Sequence, residues 1–287
     1  MKRILIIGML GLITTPSSSL IAQESNEPVF QGSSSDLSPG EVRAIAEIKR
    51  LGGKILANPR NPKQLIGVDF GDNTKITDAD LLLLRQLPKL EILRVHGLGI
   101  TNAGLVYLNG LSSLEMLILS QTGVTDSGLE HLKRLPKLRI LDLYKCKVTD
   151  YGLEYLKELT QLEELALFGT LVSDAGLVHL KGLTKLRSLK LQGTRSTGAG
   201  LKHLAGLTNL RFLDLIGLQV TDANLEQLQG LINLRVLRLS YTKVTDAGLH
   251  YLKALINLES LDLIGTRVSN VGIGELKRVL PKVKISS

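Results

Sequence analysis

Few residues in this chain are of a type and spacing that could do chemistry. Cys146 is the single cysteine, so no intrachain disulfide is possible. A thiol becomes a nucleophile only beside a base and an orienting group, and the sequence supplies neither near Cys146. Tyr107, His131, Tyr155, His179, His203 and Tyr251 recur in one register, with His179 and His203 in equivalent places. That invites a metal reading, yet a structural metal asks for four ligands, and Leu83 and Gln227 share the register. Half-buried packing is the expectation instead. Gly52-Gly53-Lys54 lacks both the upstream Gly and the following Ser or Thr of a phosphate loop. No catalytic constellation, metal or cofactor is expected.

The registers exist because the chain repeats. From Thr77 to Val268 it falls into eight units of 24 residues without insertion, starting at Thr77, Thr101, Thr125, Thr149, Ser173, Thr197, Thr221 and Thr245. Within the last unit Leu249, Leu252 and Leu255 recur every three residues, the face of a short helix, while Leu261 and Leu263 alternate as in a strand. The Ser or Thr opening each unit offers a side-chain oxygen to the free N–H groups of the helix. No unit can bury its leucines alone, so the copies must stack, parallel strand beside parallel strand. With no Trp, four Phe and three Met, the core is aliphatic.

This L-x-x-L-x-L-x-x-T-x-V-T-D-A-G-L pattern resembles the leucine-rich-repeat family. Among its subtypes it is most similar to the cysteine-containing one, whose Cys position is held here by Thr122, Thr170, Thr194, Thr242, Thr266 and, once, Cys146. The Thr-rich form is similar to secreted bacterial leucine-rich-repeat proteins. The resemblance implies an α/β solenoid, a horseshoe with a concave parallel β-sheet and short convex helices. The subtype is commonly the substrate-reading half of F-box ubiquitin-ligase adaptors. Residues 38–76 are too few for a full F-box, so that reading stands second, beside a structural envelope protein.

The ends differ from the repeats. Lys2-Arg3, the apolar run Ile4–Ile13 and the small polar exit to Ala22 read as a cleavable signal peptide over 1–22, too short to span a bilayer. A secreted or periplasmic location follows, with no stable membrane anchor. Residues 23–37 read as a flexible leader. Residues 38–76 read as an N-terminal cap: Ser38-Pro39-Gly40-Glu41 opens a helix that stops at Gly52-Gly53, and Ile66, Val68 and Phe70 form a degenerate first strand. Residues 77–268 hold the eight repeats and 269–287 the C-terminal cap.

Side chains flanking the two strand leucines should face the concave surface. Ile92, Met116, Ile118, Ile140, Tyr144 and Phe168 cluster across the first four units, with Phe212 and Ile216 further on, and they form the expected partner-binding patch. The residue between the strand leucines runs Arg94, Ile118, Asp142, Ala166, Lys190, Asp214, Arg238, Asp262. Alternating sign disfavours nucleic acid, which needs one sign along its track. Without Lys2 and Arg3, 33 basic residues face 27 acidic ones, a moderate +6 that suits solubility. The expected role is a non-catalytic, extracytoplasmic protein-binding module.

Overall fold

The computed structural model describes residues 28–33, 36–71 and 75–287. The expected signal peptide and part of the expected leader lie outside the described residues. One sheet of eleven strands runs through the molecule in chain order. The antiparallel hairpin β1 (Lys54–Asn58) and β2 (Asn61–Asp69) opens it. Nine short strands follow, each parallel to the one before: β3 (Ile92–Arg94), β4 (Met116–Ile118), β5 (Ile140–Asp142), β6 (Glu164–Ala166), β7 (Ser188–Lys190), β8 (Phe212–Asp214), β9 (Val236–Arg238), β10 (Ser260–Asp262) and β11 (Lys284–Ser286). Each pairing joins equivalent residues, such as Leu141 with Leu165, so the 24-residue period becomes one strand spacing.

The return segments are short helices, and their kind varies. Residues Asp78–Gln86, Gly104–Leu108, Gly176–Leu180 and Ala199–His203 are 3₁₀ turns, whereas Asp150–Leu156 and Asp246–Leu252 are α-helical. The three-residue leucine spacing suits a 3₁₀ turn, in which every third side chain eclipses the last. Between sheet and helices the leucines form one continuous aliphatic core, nearly all of it fully buried.

Gly at the fourth place of a unit answers to its neighbour. Asp126 Oδ1 accepts the backbone N–H of Thr149 at 2.7 Å and its Oδ2 accepts the Thr149 hydroxyl at 2.6 Å. Asp150, Asp174, Asp222 and Asp246 hold the first Ser or Thr of the next unit in the same way. A β-carbon on Gly152 would stand 2.5 Å from Asp126 Oδ1, so the ladder of carboxylates demands glycine beside it. Unit-opening hydroxyls were expected to serve helix N–H groups, and some do: Thr149 accepts from Tyr151 and Thr245 from Ala247. Their larger role is to join one unit to the next.

Both ends are closed by non-repeating elements. Helix α1 (Pro39–Arg50) starts with a reciprocal cap between Ser38 and Glu41 and buries Ala44, Ile45 and Ile48. Strand β1 carries no repeat signature and was not foreseen; residues Pro28 to Phe30 run along its outer edge, where Pro28 accepts from Ala57 N–H. At the far end the helix Asn270–Val279 and β11 finish the stack.

Candidate functional site

The residues singled out for chemistry take structural places. Cys146 is buried, donates from Sγ to the Leu119 carbonyl at 3.0 Å and lies 3.4 Å from the Thr122 hydroxyl. Thr122, Thr170, Thr242 and Thr266 each donate to the carbonyl three residues back, so this column turns a buried corner. Burial pushes the Cys146 thiol up to about 11, which keeps it protonated. In the Tyr and His register, Arg85 lies over the Tyr107 ring at 5.2 Å and Lys133 over Tyr155 at 4.8 Å, each from the preceding unit. Partial burial and then the nearby Lys181 and Lys202 hold His203 below the ordinary imidazole value. Packing between helices accounts for these contacts.

The opposite face of the sheet is where the structure departs most from expectation. Ile92, Met116, Ile118 and Ile140 were expected as an open apolar patch, but they are only 6%, 2%, 2% and 1% exposed. With Leu56 of β1 and Ile66 of β2 they form a second apolar cluster, separate from the leucine core. Strand alternation explains the separation, because these side chains leave the sheet on the side away from the helices. Among the described residues no helix or strand packs over them.

Beyond Ile140 the face turns aromatic and charged. Tyr144 and Phe168 are half-buried and stack at 4.8 Å between ring centroids. Phe212 and Ile216, also half-buried, lie farther along, with Lys190 and Arg238 approaching the Phe212 ring at 5.9 Å and 5.2 Å. The expected aromatic and apolar residues therefore share one face, but in two groups. The sequence placed Asp142, Lys190 and Asp214 on this face by their column but gave no sign of their burial or bonding. Asp142 accepts from Ser120 Oγ at 3.0 Å and from Tyr144 N–H at 2.7 Å, and burial raises its carboxyl above the ordinary aspartate value. Burial likewise raises Asp214 and lowers Lys190, and it pushes Glu164 up to about 7.

Along the strand entrances runs a second unforeseen feature, an ion ladder. Arg139 reaches Glu115 at 3.4 Å and Glu163 at 2.7 Å, and Arg187 reaches Glu163 at 3.3 Å. The 24-residue spacing of opposite charges was the signal for it. Ser120 and Asp142 stand close to the buried His96, so a Ser, a His and an Asp do gather on this face. The serine donates straight to the carboxylate, however, and a carboxylate raised by burial is not arranged as the orienter behind an imidazole.

Strand-and-helix coils stacked on one sheet around one leucine core define a repeat solenoid. The fold is that of a leucine-rich-repeat solenoid, and the Leucine Rich repeat family model matches residues 134–157 and 230–253. Two solved structures share the fold. An internalin C2 from Listeria monocytogenes is 24% identical, with a TM-score of 0.54, covering 92% of this chain and 100% of that one. An internalin (inlF) from the same organism is 19% identical, also with a TM-score of 0.54, covering 75% and 72% of the two chains. No curated protein sequence matches the chain.

Proposed function

We propose that this protein is a non-catalytic scaffold that works outside the cytoplasm by holding another protein against the concave face of its sheet. The observation that carries the reading is the second apolar cluster, which lies away from the leucine core on a face without a described cover. The contact surface is the half-buried Tyr144, Phe168, Phe212 and Ile216, with the Tyr144 and Phe168 rings at its centre, beside the buried cluster of Ile92, Met116, Ile118 and Ile140. Rigid aromatic pairs of this kind concentrate binding energy, because they bury large area at small entropic cost. The raised thiol of Cys146 and the direct Ser120–Asp142 hydrogen bond both argue against nucleophilic chemistry. The basic, apolar start at residues 1–13 supports export, and the internalin likeness is in keeping with it.

Cross-linking in the native host, followed by recovery of the protein, tests the reading. Tyr144→Glu with Phe168→Asp should abolish the recovered partner while circular dichroism stays unchanged. A partner that persists through both charge substitutions would place binding elsewhere, and intact Met1 on cytoplasmic material would overturn the location.

A further inference from the structure

Where the strands end and the chain turns back towards the helices, the solenoid has an exposed rim that its core does not explain. One residue of each turn adopts a left-handed backbone, and glycine fills that place at Gly97, Gly169, Gly193, Gly217 and Gly265. Gln121, Lys145 and Tyr241 stand there instead, at φ of 58°, 54° and 59°. A side chain strains this backbone, and strain kept where glycine would relieve it points to a use for the side chain. Tyr241 is 65% exposed and its ring rests on Gly265, where a β-carbon would come within 2.6 Å of the ring. The Lys145 stem rests on Gly169, and its ammonium lies 5.0 Å from the Tyr144 ring centroid. With Ile264, 44% exposed, and the half-buried Tyr144, Phe168 and Ile216, Tyr241 makes an apolar row along the rim.

A second row runs beside it. Two residues further into each turn the exposed side chains are Lys147, Leu171, Arg195, Gln219, Lys243 and Arg267. Four are cations and none is an acid, and none of the four has an ion pair among the described residues. Backbone hydrogen bonds hold the row in register, from Lys147 to Val124, Arg195 to Val172 and Lys243 to Val220, at 3.2, 2.7 and 2.9 Å. Lys147, Arg195 and Lys243 are therefore two strand spacings apart, roughly 10 Å. The carboxylates repeated on the same edge, such as Asp126 and Asp174, have both oxygens engaged by the N–H and hydroxyl of the next unit. A row of one sign raises the local potential and draws the opposite charge to it.

Resting on the protein-binding reading above, we propose that this strand-exit rim takes an extended acidic segment of the partner protein, which sets carboxylates against Lys147, Arg195 and Lys243 and lays apolar side chains on Phe168, Ile216 and Tyr241. The cations fix the sign of the partner and the apolar row fixes its kind. A nucleic-acid strand would satisfy the cations but offers no aliphatic group to Ile216 or Ile264, whereas a peptide carries both. In a polyproline-like extension every third residue returns to the same side after about 9.3 Å, close to the two-strand step of the cations. Carboxylates every third residue, with apolar residues between them, match both rows. Lys145 and Tyr241 reach out from turns that glycine would leave bare, and so they extend the contact beyond the concave face.

The test uses the full gene product as the cell delivers it. Fluorescence anisotropy follows three labelled peptides, repeats of Glu-Leu-Ser, Lys-Leu-Ser and Glu-Ser-Ser, and a labelled oligothymidine of the same charge as the first. The Glu-Leu-Ser peptide should bind at least about tenfold more tightly than each of the others, about 1.4 kcal/mol. Arg195→Glu with Lys243→Glu should erase its lead over the lysine peptide. Tyr241→Gly should weaken it without lowering the thermal midpoint, because glycine adopts the left-handed turn without strain. Equal binding by the lysine or the serine counterpart, a preference that survives the double charge reversal, oligothymidine binding as tight as the first peptide, or no binding at all would each overturn the inference. If a cross-linked partner is lost with Tyr144→Glu and Phe168→Asp yet keeps its yield with Arg195→Glu and Lys243→Glu, the inference alone fails. If it persists through both pairs, the concave reading fails with it.

Discussion

Gly198 and Asn224 share one site between adjacent units: a β-carbon on Gly198 would stand 2.6 Å from Asn224 Oδ1. Every other unit from Thr77 to Thr245 carries Asp or Asn at the place of Gly198, and that side chain holds the next unit. Where Gly198 interrupts the ladder, Asn224 turns back and accepts the N–H and hydroxyl of its own Thr221, both at 2.9 Å. Asp80 does the same for Thr77, which has no repeat before it. Glycine at the fourth place and an acid or amide two places into the preceding unit are thus two halves of one choice.

That reciprocity predicts a compensating pair. Gly198→Asp alone should destabilise by about 1 to 3 kcal/mol, since its side chain meets Asn224 and its backbone sits at a φ of 101°. Asn224→Gly alone should lose about 1 kcal/mol with its hydrogen bonds. The double variant restores the arrangement seen at Asp126 and Gly152, so a urea-denaturation cycle should give a coupling of about 1 kcal/mol or more in favour of the pair. Strict additivity would disprove the shared site.

The two sides of each strand can be told apart by deletion. Leu165 is 1% exposed in the leucine core, whereas Lys157 lies on the solvated helical side and makes only an exposed pair with Glu154 at 3.3 Å. Leu165→Ala should cost about 2 to 5 kcal/mol and Lys157→Ala no more than about 0.5. Equal losses would reverse the faces assigned here.

Cys146 tests the corner column. Cys146→Thr should fall within about 1 kcal/mol of the parent, because Thr122 and Thr170 already make the corner with a hydroxyl donated to a carbonyl. The thiol, pushed up to about 11, should react with a disulfide reagent only as fast as the protein unfolds. Rapid modification of the native protein would mean that the thiol is neither buried nor protonated.

The stacking was legible because it is periodic. Leu141 pairs with Leu165 24 residues on, and the sequence writes that 24-residue unit eight times. Strand β1 was not legible, since Lys54–Asn58 is held by antiparallel pairing to β2 and by no repeat. On the concave face the residues could be placed but their state could not. The alternation that puts Ile140 on that side says nothing of whether water reaches it, and Ile140 proves buried. Glu164 went unremarked because one carboxylate in a column that also holds Ser188 and Ser260 carries no pattern. Its importance comes from neighbours on other strands, which only the fold assembles.

The pH dependence of stability follows from Glu164. Its folded value of about 7 lies above the ordinary 4.5, chiefly through burial, with Lys190 offsetting part of the effect. The folded state therefore holds this proton more tightly than the unfolded one. Its contribution is full below about pH 4.5 and is lost as pH rises through about 7, an effect on the order of 3 kcal/mol. Denaturation midpoints should fall between about pH 5 and about pH 8 in the parent and fall less in Glu164→Gln. Asp142 and Asp214, raised in the same direction, should leave a residual slope in that variant. Lys190→Met should move the transition to higher pH, because it removes the cation that most favours the ionised carboxylate. A slope unchanged by Glu164→Gln would show that the carboxylate is solvated, and the charged half of the face would then be ordinary surface.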